Sequence, residues 1–319
     1  MSWAAHQFEV YAIQAHLPKR LRGQISFFAI FLGDFTPDFL AKFWVYGVTV
    51  NGHHYGASEP YRWHRGWPGM GFTHTLFFGL LVAGGIWLWK RNPAWFIGFV
   101  LGYAAHVLTD VNDSIGTMLI FPLNLMNWSV GTWAYAATID GGKYLDAAGY
   151  YSSLGFVMDV FWLVVVLFSW RVLTREFWRT QVVPADPRVW AWFGRFLNER
   201  GLLALYRGTF FYGVCRLVAW TTWAHLLTNP VIDGVRRNGY PWDLSWGGPW
   251  WIPKVELDQV HPLIVLPVAL GMFAAVYWAV ARYGPRLIER GGVRTLIERP
   301  LPRAGSSTRP SPARRRPSR

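Results

Sequence analysis

Histidine and aspartate bind divalent metals, and this chain sets several of them inside apolar sequence. His106 and Asp110 are four residues apart in such a run, so on a helix they share one face a turn apart and can enter one coordination sphere. Asp113 extends that face if the helix continues. His74 starts the preceding apolar run, and Asp34 and Asp38 interrupt an earlier one. Ionisable groups inside a membrane are costly and functional by default. A lone intramembrane His is more often a packing residue, but a His and an Asp on one face opposite another His point to a metal. Imidazole and carboxylate suit Zn²⁺, which lowers the pKa of a bound water to about 7 and so supplies a nucleophile for hydrolysis at neutral pH.

The elements that must position these groups are membrane helices. The chain is 52% apolar, 18% aromatic and only 15% charged, too little charge for the surface of a water-soluble globule. Apolar runs at Phe72 to Trp89, Ala94 to Val111, Gly155 to Leu173, Thr209 to Thr228 and Leu263 to Ala281 are each long enough to cross a hydrocarbon core of roughly 30 Å as a helix. Gln24 to Gly47 is a sixth candidate, interrupted by Asp34, Pro37 and Asp38. If it spans, the N-terminus is expected to be cytoplasmic; if it does not, His16 faces the side of the His and Asp cluster. Lys90 and Arg91 in the turn between the first two runs mark a cytoplasmic loop, which sends His74 and the His106–Asp110 pair to the same outer level. The arginines from Arg171 to Arg207 and from Arg282 onward mark the same side.

The net charge of +13 is concentrated in these flanks and in a tail of Arg, Pro and Ser. It reads as a topology signal that also suits anionic lipid, and no direct nucleic-acid binding is expected. The segments Val111 to Leu154 and Asn229 to His261 fall outside, with Trp and Tyr suited to the headgroup level. No cleavable signal peptide is evident. Cys215 stands alone inside a run, so neither disulfides nor a Cys-based metal site is available. His-Glu-x-x-His and a phosphate-binding Gly-rich loop are absent from the sequence. His53-His54 sits in a polar loop and reads as exposed. His225 to Asn229 echoes His106 to Asp110, but with Asn in place of the acid it makes a poorer metal face.

A succession of short motifs carries a resemblance. Gly33-Asp34-Phe35-Thr36-Pro37-Asp38 is followed by His64-Arg65-Gly66, then Phe72-Thr73-His74-Thr75-Leu76, then Gly102-Tyr103-Ala104-Ala105-His106-Val107-Leu108-Thr109-Asp110, with Gly116 and Phe121-Pro122 after it. Over about the first two-fifths of the chain this resembles the membrane-bound metal-dependent hydrolases. They are also described as LexA-binding inner-membrane hydrolases of the YdjM-like kind, and are similar at a distance to zinc-dependent phospholipases C and single-strand nucleases. The chain departs from the pattern in three places: Leu40 stands where a second acid is usual, Trp67 to Gly71 separates two elements that are usually adjacent, and Asn112 to Gly116 replaces the usual Thr-Pro-x-Gly. The resemblance and the residue chemistry agree on metal ligands drawn from Asp38, His64 or His74, His106 and Asp110, with His16 as a further candidate. Arg65 would hold a phosphate oxygen through its planar fork, with a snorkelling interfacial cation as the equal alternative. Asp34 or Asp113 would act as general base or as support for the ligands.

The expectation is therefore an all-α, polytopic transmembrane protein of five or six spans. Residues 1–125 form a hydrolase-like membrane domain, 126–298 add further transmembrane helices and aromatic outer loops, and 299–319 form a disordered basic tail. Its expected activity is hydrolysis of a phosphoester, lipid-borne, at the outer face of a bacterial-type inner membrane, with zinc as the divalent cofactor and lipids as partners. Two non-enzymatic readings stay open. A transporter or channel would use Asp34, Asp38, His106, Asp110 and Asp159 as a polar path, and an assembly factor would bind a partner through its outer loops.

Overall fold

The computed structural model describes residues 4–46, 48–56, 71–112, 116–123, 128, 156–222, 231–232, 235–236 and 262–290. His64, Arg65 and Asp113, most of the two aromatic segments and the basic tail lie outside the described residues. The described chain is mostly helical, with α1 (Ala5–His16), α2 (Phe27–Tyr46), α3 (Leu76–Lys90), α4 (Pro93–Thr109), α5 (Val157–Phe168), α6 (Pro187–Phe193), α7 (Glu199–Thr222) and α8 (Pro262–Arg290). Two small antiparallel hairpins depart from the all-helical expectation: Val48–Val50 with His53–Tyr55, and Val231–Ile232 with Val235–Arg236. The first turns at Asn51 and Gly52, both with positive φ, as a two-residue hairpin turn requires. His53 and His54 lie on it, exposed.

Among the described residues, three helices are long and apolar enough to cross a membrane: Pro93–Asn112, Glu199–Thr222 and Ile264–Arg290. The expected spans at Phe72 to Trp89 and Gly155 to Leu173 form shorter apolar helices of 15 and 12 residues. The first is shortened because Phe72–His74 is a separate 3-10 turn and Thr75 caps α3, accepting from the Phe78 N–H. The second stops at Ser169, followed by another 3-10 turn over Trp170–Leu173. At the α3–α4 turn, Arg91 adopts a left-handed conformation, Asn92 accepts from the N–H groups of Ala94 and Trp95, and Pro93 takes the first helical position.

The least expected element is α1. It carries His6, Gln7, Glu9 and Gln14, yet every residue from Ala5 to Gln14 is buried. It runs antiparallel to α2: Tyr11 packs on Phe27, and the turn at Lys19–Leu21 joins the two. At that turn's end of the bundle His16 meets Ser169, the Tyr277 hydroxyl donates to the His16 carbonyl, Gly23 faces Thr180 and Gln181, and Gly284 packs on Leu21 and Ile97. Lys19, Arg20, Arg22, Lys90, Arg91, Arg175, Arg179 and Arg286 thus gather at one end. The hydrophobic core joins α1, α2 and α4 to α5, α7 and α8, so the packing crosses residue 125.

The crossing of α2 and α4 places the site. A methyl group at Gly33 would strike the Phe99 carbonyl, and one at Gly102 would strike the Ile30 carbonyl, while Gly98 packs on Ala29, Ser26 and Ile25. Small residues let helix backbones touch in this way where lipid gives no hydrophobic drive to association. Two buried carboxylates from the second half then cap the helices of the first. Asp159 on α5 accepts from the Ala4 and Ala5 N–H groups at 3.1 and 2.7 Å. Asp186 accepts from the Ser26 hydroxyl at 2.9 Å and from the backbone N–H groups of Phe27 and Phe28. Each satisfies N–H groups that a helix start leaves unpaired.

Two outcomes follow. Gly102→Val should lower stability by about 3 kcal/mol or more, because rigid backbone leaves nothing to yield; thermal unfolding in detergent measures it. Burial raises the Asp186 carboxyl from 3.8 to about 6, so between those values the folded protein keeps a proton that the unfolded chain releases. Stability from this group therefore falls as pH rises through that window, and Asp186→Asn, which keeps an acceptor, should flatten the melting temperature against pH there.

Candidate metal centre

The site gathers at the ends of three helical segments and the middle of a fourth. His74 closes the 3-10 turn before α3, His106 and Asp110 end α4, Asp38 lies one turn beyond Asp34 on α2, and His6 lies near the start of α1. His74, His106, Asp34 and Asp110 are buried to 1% exposure or less, while Asp38 is 20% exposed. The antiparallel α3–α4 hairpin brings His74 and His106 together as the sequence implies, with ring centroids 5.3 Å apart.

Asp38, His74, His106 and Asp110 each offer one ligand atom within 4.8 Å of all the others. His74 Nε2 is 3.4 Å from Asp38 Oδ1 and 3.7 Å from Asp110 Oδ2. His106 Nε2 is 3.7 Å from Asp38 Oδ1 and 3.4 Å from Asp110 Oδ2. Ligands about 2.0–2.1 Å from a tetrahedral Zn²⁺ would lie about 3.3–3.4 Å from each other. The four atoms are close to that spacing, so the residues fit a divalent metal.

The support around these ligands follows from the motif. Gly102 admits α2, and with it Asp38, to the face that carries His106. Tyr103, next in sequence, points the other way: its ring packs on Gly79 of α3 and its hydroxyl donates to the Thr73 carbonyl. That bond pins the backbone next to His74, and Thr73 Oγ1 lies 3.2 Å from His74 Nδ1. A partner on Nδ1 fixes which nitrogen faces the metal.

A second group overlaps the first. His6, Asp34 and His106 also hold one ligand atom each within 4.8 Å of one another, and the His6 and His106 rings stack at 3.8 Å. His6 Nε2 is 3.6 Å from Asp110 Oδ1, and His6 Nδ1 is 3.3 Å from Glu9 Oε2 and 3.8 Å from Asp34 Oδ1. His6 and Glu9 are the site residues that the sequence reading passed over. Their signal was an acid and an imidazole three apart in a stretch without Gly or Pro, but no apolar run marked it as an inner helix. His16, expected as a ligand, belongs to neither group. It is ten positions along α1 from His6, roughly 15 Å at 1.5 Å per residue, where its ring meets the Ala12 carbonyl and Ser169. Asp34 joins the second group rather than standing apart as a base, and Asp159 serves as a helix cap.

Comparison with protein-family models, curated proteins and solved structures returns no match. Removing the Tyr103 hydroxyl tests the support: Tyr103→Phe should cost about 1 kcal/mol of stability and weaken metal binding by roughly tenfold or more, read by a melting curve and a metal titration.

Proposed function

We propose that this chain is a membrane-bound, metal-dependent hydrolase that cleaves a phosphoester, borne on a lipid, at the outer face of a bacterial-type inner membrane. The observation that carries the reading is that His74 Nε2 and His106 Nε2 each lie 3.4–3.7 Å from a carboxylate oxygen of both Asp38 and Asp110. A bound divalent cation, for which the donor set favours zinc, supplies Lewis acidity and activates water. The chain's own groups do the rest. His74 and His106 present neutral nitrogens, and Asp110 holds the pair at a fixed distance. Asp38, the part-exposed member, stands where a substrate would enter. On the motif resemblance, Arg65 would hold a phosphate oxygen, His64 would be a further candidate ligand, and Asp113 would act as general base or as support for the ligands.

For the membrane we assign five or six crossings: α3 with the turn before it, α4, α5 with the turn that continues it to Leu173, α7 and α8, with α2 as the sixth, and α1 as a buried half-length helix. The gathering of Lys and Arg at the end opposite the site supports a cytoplasmic basic end and a cytoplasmic C-terminus. Exposed apolar residues such as Phe211, Val218, Leu270 and Trp278 suit contact with lipid. The engagement of Asp159 in capping α1 favours hydrolysis over a transport path, because the remaining polar groups cluster at one end rather than through the depth of the bundle.

Elemental analysis of detergent-purified protein should find a divalent metal that is lost from His106→Ala and Asp110→Ala. Hydrolysis of phosphodiester and phospholipid substrates should fall by more than about 100-fold in both variants and after chelation, exceeding the loss typical of outer-shell partners. A folded, metal-free wild type would overturn the reading.

A further inference from the structure

We infer that His6 and Asp34 hold a second divalent cation, bridged through the two oxygens of Asp110 to a first cation held by Asp38, His74 and His106. The inference rests on the metal-centre reading above and adds a second ion to it. Asp110 is placed to divide its oxygens: Oδ2 faces His106 Nε2 at 3.4 Å and His74 Nε2 at 3.7 Å, while Oδ1 faces His6 Nε2 at 3.6 Å. A carboxylate shared in this way is what holds paired ions about 3.5–4 Å apart in two-metal hydrolases, where they clamp the attacking and leaving oxygens of a phosphoester.

The groups on the far side of Asp110 lack another explanation. His6, Glu9 and Asp34 are buried to 4% exposure or less. In the tautomer that donates from His6 Nδ1 to Glu9 Oε2, 3.3 Å away, the Nε2 lone pair faces Asp110 Oδ1 at 3.6 Å, acceptor against acceptor. His6 Nε2 meets no hydrogen-bond partner among the described residues, and Asp34 has as its neighbour the Glu9 carboxyl, within hydrogen-bonding reach, acid beside acid. Buried carboxylates cannot remain charged without a counter-charge. A cation between His6 Nε2 and Asp110 Oδ1, with Asp34 of the second ligand group beside it, supplies the missing counter-charge, and Glu9 then takes the role of the carboxylate that orients a metal-bound imidazole through its other nitrogen. The Thr109 hydroxyl, which accepts from Trp162 Nε1 at 3.1 Å, holds Glu9 in turn.

The test is a metal count on full-length protein in detergent, stripped with chelator and reloaded with Mn²⁺ alone. Two equivalents per wild-type chain are expected, with an exchange-coupled Mn²⁺ paramagnetic resonance spectrum. His6→Ala and the more conservative His6→Gln should each bind half as much and show an uncoupled signal. One equivalent in the wild type overturns the second site while leaving a one-metal hydrolase standing. Two equivalents retained without His6 also overturn it. No metal at all removes the hydrolase reading with it. The wild-type count and spectrum decide the matter even if both variants fail to fold.

Discussion

The close crossing of α2 and α4 is the contact on which the rest depends. Carboxylates on one helix and imidazole on another can share an ion only if the backbones approach to within a side chain's length, and at Gly33 and Gly102 they do so without any side chain between them. Pro37, three residues beyond the Asp34 turn, removes the amide that would have paired with the Gly33 carbonyl. The same few residues therefore set the distance, loosen the helix and supply the acids. Glycine in a helix costs about 1 kcal/mol against alanine, and here that cost is offset by contact that no larger residue would allow.

Around this crossing the protein stacks further supports in order of distance from the ligands. Tyr103 and Thr73 steady His74, Thr109 and Glu9 steady His6, and the caps at Asp159 and Asp186 steady the helices that carry His6 and Asp38. Each support is a hydrogen bond made where water is scarce, so each is worth more than its surface counterpart and costs more when left unmade. The apolar α7 and α8 enclose α1 and α4 on the sides where lipid would otherwise reach them; Phe210 and Gly213 of α7 lie directly against Phe8 of α1.

Helical periodicity and the spacing His106-x-x-x-Asp110 made the α3–α4 hairpin and the level of its site legible, because a hairpin with a charged turn leaves little freedom in where its far ends meet. The meeting of Asp38 with those ends was suggested by motif order and needed the glycine crossing to become geometry. α1 was not legible. Its burial is decided by six neighbouring elements rather than by its own pattern, and a helix wrapped on all sides need not be amphipathic. For the same reason nothing in the sequence separates His6, at the site, from His16, which lies ten positions along the helix at the opposite end. The lengths of α3 and α5 were misjudged because apolar composition continues through the 3-10 turns at Phe72 and Trp170, where the backbone does not.

The long-range caps also impose an order in time. A ribosome releases α1 and α2 first, at roughly 5–20 residues per second, yet the amides at their starts wait for Asp159 and Asp186, made about 150 residues later. Until then the first amides of both helices lack these acceptors. The helices that carry His6 and Asp38 are thus finished by residues from the second half of the chain, so the grouping of the His and Asp side chains is a late event in its assembly.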